Sequence, residues 1–167
     1  MSSSVAPSFL QGSWQYLFKF KQHLQDFLNS NLETIEQKLA LDQQFLKEIV
    51  HRDLDSEKAS EFSRDRVGPA YLFDLGYWHM SNQDYIKGTL TLISDRAVDR
   101  VLDCGGGIGT HAIAAALCPQ VEQVVYCDVN PIHCNFVQSR AAKLGLSDKI
   151  SCCLEVSPTE VFDAIIC

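Results

Sequence analysis

No stretch of the chain approaches the roughly 18 consecutive apolar residues that a membrane-spanning helix requires, so no membrane partner is expected. A basic patch is missing too. The 14 Lys and Arg are scattered among 21 Asp and Glu, a formal charge of −7, whereas nucleic-acid binding demands concentrated positive charge. Nucleic acid is therefore not the expected partner, and a small or neutral substrate fits better. There is no CxxC pair and no His at zinc-ligand spacing from a second cysteine pair, so no metal site is expected. The seven cysteines, an odd number, all fall at or after position 104, which suits buried, reduced thiols in a cytoplasmic protein. Met1 to Ser8 lack the charged start and apolar run of a signal peptide and read as a flexible terminus. Internal repeats and low-complexity tracts are absent.

What is present is the composition of a globular protein: 46% hydrophobic and 21% charged residues over 167 positions, enough for one domain or for one domain with a helical extension. Residues 9–97 form the extension. Trp14, Leu17, Phe18, Leu24, Phe27 and Leu28, followed by Ile35, Leu39, Leu46, Ile49 and Val50, recur at helical spacing and predict a helical hairpin turned at Asn29-Ser30-Asn31. A polar stretch from Asp53 to Arg66 precedes an aromatic segment with Tyr71, Phe73, Tyr77 and Trp78. A further helix is predicted from Ser81, with Ile86, Leu90, Ile93 and Ala97 on one face.

From residue 98 to 167 short apolar runs alternate with amphipathic segments, which predicts βαβ units and a parallel sheet, an α/β fold. The expected strands are Arg100 to Asp103, Gln123 to Asp128, about Lys149 to Leu154 and about Phe162 to Cys167. The expected helices run from Thr110 to about Leu117 and between Asn130-Pro131, an N-cap followed by proline, and the closing Gly145. The stripe of the second is Ile132, Phe136, Val137 and Leu144.

The first strand runs straight into Gly105-Gly106-Gly107-Ile108-Gly109, where residues without a Cβ allow a tight turn and close approach of a ligand. A dinucleotide fingerprint G-x-G-x-x-G would place its third glycine at Thr110. The pattern that fits is D-x-G-x-G-x-G, with Asp103, Gly105, Gly107 and Gly109. A carboxylate at that strand end suits a cationic cofactor better than a pyrophosphate. The second strand ends on Asp128, about 20 residues downstream, where ribose hydroxyls are held in such architectures. Asp128 is the residue expected to hold them; it also reads as a charge at the start of the following helix, and the two roles are compatible.

The segment VLDCGGGIGT resembles the first motif of the class I S-adenosyl-L-methionine (SAM) dependent methyltransferases, and the resemblance covers about residues 98 to 167. It implies a Rossmann-like sheet, SAM as cofactor, and Asp103 with the glycines bordering the methionine part. It further implies an acidic or polar residue after the third strand facing the adenine amine, a place that Glu155 occupies, although a solvated loop carboxylate accounts for it as well. Asp163 matches a position that is usually structural in the family. Cys104, Gly106 and the short connection after Glu155 depart from the pattern.

The family sheet has seven strands. Four are identified here, in the implied order 3-2-1-4, so the sheet reads as incomplete, truncated after the fourth strand. That strand is expected to pair with a second copy of the chain, as a homodimer, or with a missing C-terminal half. The residues that contact the methyl acceptor in the family lie beyond the fourth strand, so no catalytic residue is assigned and the chain alone is expected to transfer methyl groups poorly. Tyr71, Tyr77, Trp78, His79 and Tyr85 are either a lid or core packing; His51 and His133 read as solvent-facing. The expectation is a SAM-dependent methyltransferase acting on a small-molecule substrate. The rivals are a non-catalytic SAM-binding interaction module and an NAD-dependent oxidoreductase.

Overall fold

Val101, Leu102, Val124 and Val125 are β-branched or apolar residues in short runs bounded by polar ones, and they become the middle of a sheet buried on both faces. The computed structural model describes residues 19–35, 37, 87, 88, 91, 93, 96 and 98–167. Helix α1 is Phe20–Leu28; then follow β1 (Arg100–Cys104), α2 (Thr110–Ala116), β2 (Gln123–Cys127), α3 (Pro131–Leu144), β3 (Ile150–Cys153) and β4 (Ala164–Ile166). The strands form one all-parallel sheet in the order β3-β2-β1-β4, so this part of the chain is an α/β unit with the strand order expected. Leu102 stands opposite Val125 and Ile165, and Cys104 opposite Cys127. No helix among the described residues is long and apolar enough to cross a membrane.

One face of the sheet, Val101, Val124, Tyr126 and Ile150, packs against the alanines and Ile113 of α2 and against Val137 and Ala141 of α3. Every residue of α2 is buried, which its small side chains permit. Helix α3 has the ends its sequence specifies: the Asn130 side chain accepts the Ile132 N–H at 2.9 Å, Pro131 occupies the first turn, and Gly145 closes the helix at φ 69°. The opposite face, centred on Leu102, Val125 and Cys127, carries Cys153, Val156 and Phe162. Among the described residues β4 is an edge strand, and Ile165 is 61% exposed on it.

The turn at Asn29 is also as its residues suggest. Asn29 adopts φ 48° to cap α1, and the Asn31 side chain accepts the Thr34 N–H at 2.8 Å. Helix α1 lies on α3, where Phe20, Leu24, Ile35, Ile108 and Phe136 form a second buried cluster and Lys143 pairs with Asp26. Lys87, Gly88, Thr91 and Ile93 are helical, and Ile93 is buried in the main core. The hairpin residues before 19 and after 37, the aromatic segment Tyr71 to Trp78, His51, His79, Tyr85, and Ile86, Leu90 and Ala97 lie outside the described residues.

Candidate functional site

Five residues, Gly105 to Gly109, carry the chain from the end of β1 to α2. Gly105, Gly107 and Gly109 have φ of 69°, 54° and 70°, a left-handed backbone that costs other residues about 1–2 kcal/mol each. The turn is held on all sides. Gly105 N–H donates to the Cys127 carbonyl at 2.8 Å, Gly109 N–H to the Gly106 carbonyl at 2.9 Å, and Gly107 N–H to Oδ2 of Asp128 at 3.0 Å. The Tyr126 hydroxyl donates to the Gly107 carbonyl at 2.5 Å and Arg140 Nη1 to the Ile108 carbonyl at 2.7 Å. Burial, with the charge of Asp128 nearby, pushes the Tyr126 hydroxyl pKa up, so this group stays a donor.

Gly106 has its own steric reason. A Cβ there would lie 2.5 Å from Oδ2 of Asp103 and 2.7 Å from Cε2 of Tyr126. Gly106→Ala is therefore expected to destabilise the fold by about 1–3 kcal/mol through overpacking. Gly88→Ala, in a helix with open space around the new methyl, should instead gain about 0.5–1 kcal/mol. Urea denaturation of the two variants reads the opposite signs.

Two carboxylates flank the turn in different states. Asp103 is 1% exposed beneath it, with Oδ2 accepting the Ala112 N–H at 2.9 Å. Burial, helped by the charge of Asp128 and resisted by that hydrogen bond, pushes its pKa up to about 7. Asp128 follows β2. Burial alone would raise its pKa, but His133 and the N–H groups of Asn130 and Gly107 more than offset this, and it lies below the ordinary carboxylate value. Asn130 N–H donates to Oδ1 at 2.9 Å, and His133 Nδ1 lies 3.1 Å from Oδ2.

His133 is thus not solvent-facing; it is 4% exposed and turned back onto Asp128. The signal in the sequence is its place three residues after the N-cap Asn130, from which side chains fold back over the helix start. His111 is also buried, on α2. Arg140 is a further residue of the site that the motifs do not mark, although its spacing of four from Phe136 and eight from Ile132 sets it on the buried stripe of α3.

Because the strands are parallel, the glycine turn, Asp128 and the bend holding Glu155 all lie at the C-terminal edge of β1, β2 and β3. The hydrogen bonds described above join the turn to Asp128. Glu155 stands exposed two residues past β3 and takes no part in them. Asp163 accepts the N–H groups of Asp99 and Arg100 at 3.1 and 2.8 Å and so ties β4 to the start of β1, a structural role. A cleft of about 310 Å³ beside β4 is lined by Ile93, Arg96, Val98 and the residues from Asp163 to Ile166. Its carboxylate is committed to those amides.

Among the described residues no group of three or more His, Cys, Asp or Glu is arranged to hold a metal ion. No family model matches the chain, and no curated protein matches it either.

Proposed function

We propose that the chain is the SAM-binding part of a class I methyltransferase with a Rossmann-like sheet, acting in the cytoplasm on a small-molecule acceptor. The observation that carries this reading is the bond from Gly107 N–H to Asp128. It joins a turn of left-handed glycines after one parallel strand to an ionised carboxylate after the next, at the edge where α/β sheets bind ligands. The residues fit the cofactor. Asp128 accepts the N–H groups of Gly107 and Asn130 and lies 3.1 Å from His133 Nδ1, so Oδ1, which takes the Asn130 N–H, keeps acceptor capacity for a ribose hydroxyl. On this reading Gly105, Gly107 and Gly109 would let backbone approach the methionine part, with the Asp103 carboxyl beneath them, and exposed Glu155 would face the adenine amine. Bound SAM supplies an electrophilic methyl carbon, and the chain's residues would hold and orient it rather than exchange a proton with it.

Calorimetric titration with SAM, S-adenosylhomocysteine and NAD, paired with a methyl-transfer assay, tests the reading. SAM and S-adenosylhomocysteine should bind comparably and NAD should not; NAD binding alone would favour an oxidoreductase, and SAM binding without transfer to any acceptor an interaction module. Asp128→Ala should weaken S-adenosylhomocysteine binding by about 1–3 kcal/mol, since charge-assisted hydrogen bonds are lost. Unchanged affinity would remove Asp128 from the site. The open edge of β4 would accept a further strand, from a second copy or from a following segment, and light scattering distinguishes a dimer from a monomer.

A further inference from the structure

We propose that Arg140 is a positioning residue for the glycine turn, and that it makes the docking of α1 a condition for tight ligand binding there. The ligand half of this inference rests on the proposed cofactor site.

Arg140 is 1% exposed, and no carboxylate among the described residues meets it. Its Nε has no hydrogen-bond partner. Burial lowers its pKa only to about 10, so the charge stays in place at neutral pH. Burying an unpaired charge is costly, and an apolar side chain of similar volume would fill the same space more cheaply. What the guanidinium does in return is specific. Nη1 holds the Ile108 carbonyl at 2.7 Å, and the charge lies 5.7 Å from the ring centre of Phe136 on α3 and 5.8 Å from that of Phe20 on α1, within cation–π range.

The Ile108 carbonyl matters because the turn has almost no side chains by which to be held. Tyr126 takes the carbonyl of Gly107 and Arg140 the next one. A peptide unit is planar, so fixing the Ile108 carbonyl also fixes the Gly109 N–H, which closes the turn onto Gly106. Phe20 covers the guanidinium from the side of α1; with α1 undocked, water would reach the charge and compete for it.

The test uses the full chain and reads local order, affinity and stability separately. Arg140→Met removes the charge and the hydrogen bond while keeping bulk; Arg140→Lys keeps the charge. Arg140→Met should melt cooperatively at the parent temperature or above it, yet bind S-adenosylhomocysteine at least 10-fold more weakly. Its Gly109 and Ile113 amides should exchange hydrogen at least 10-fold faster, while those of Val124 to Tyr126 stay as protected as in the parent. Arg140→Lys should fall between. A purely structural role predicts lost stability and exchange rising uniformly, and that result, or parent-like affinity and exchange, would overturn the proposal. If Arg140→Met does not fold, Arg140→Lys is judged by the same two readings. If the parent chain itself does not bind S-adenosylhomocysteine, the cofactor reading fails, and local exchange alone decides the role of Arg140.

Discussion

Asp103→Asn is expected to stabilise the protein by about 2–4 kcal/mol at pH 8 and to leave its stability unchanged near pH 4. Asp103 titrates at about 7 in the folded chain but at an ordinary carboxylate value of about 3.8 when unfolded. A raised carboxyl pKa means that the folded state holds its proton longer. Stability is therefore intact below the unfolded value, falls as pH rises between the two values, and levels off above about 7. A tenfold difference in proton affinity between the folded and unfolded chains corresponds to about 1.4 kcal/mol, and the near-complete burial of this group leaves little solvent screening to reduce it. Asparagine keeps an oxygen for the Ala112 N–H and has no charge to bury. His23, lowered to about 4 mainly by burial, works in the opposite direction, with stability lost as pH falls from about 6.5 towards 4. It acts in parent and variant alike and cancels in the comparison. Urea denaturation at several pH values measures the difference, and parallel curves for the two proteins would show that the pKa of Asp103 is the same in the folded and unfolded chain. A buried carboxyl poised near neutrality also bears on the proposed site: a cationic ligand at the turn would favour its ionised form, so SAM binding should release a proton near pH 6.5 and the neutral thioether product should release less.

Phe136→Ala should cost about 3–5 kcal/mol, the range for removing a fully buried aromatic ring. Phe136 meets Phe20 edge-on at 5.8 Å and Phe27 at 5.2 Å, and these contacts join α1 to the α/β unit. The ring also borders Arg140, so its loss leaves a cavity beside a buried charge. Phe27→Ala, at a partly buried position on the same contact, should cost less. Both are measured by chemical denaturation at neutral pH. A loss below about 1 kcal/mol for Phe136→Ala would mean that α1 is not docked on α3 in solution. Such a result would also remove the basis for linking α1 to the turn through Arg140.

Much of the α/β unit is legible in the sequence because its causes are local. Asn130, Pro131 and Gly145 mark the ends of α3 through bonds and dihedrals that span a few residues, and Asn29 and Asn31 mark the turn after α1 in the same way. The glycine turn is visible for the same reason, since left-handed backbone selects glycine at positions 105, 107 and 109. The strand order follows from the family resemblance, and the sheet has it.

The states of the side chains around the turn were decided by tertiary structure. Gly106 is required because Asp103 and Tyr126 converge on it from neighbouring strands, and Gly109 because Val137 of α3 would lie 2.5 Å from its Cβ. Phe20 is not among the apolar residues whose spacing predicts the first helix, and it becomes the ring that covers Arg140. His133, Arg140 and Asp103 are polar residues whose local sequence permits exposure. They are buried because β2, α3 and α1 close over them, and that burial is the main cause that raises the pKa of Asp103 and lowers that of Arg140, which meets no carboxylate among the described residues. Backbone conformation depends on neighbours in the chain and can be read from them, whereas desolvation depends on what packs from elsewhere and exists only once the fold has formed.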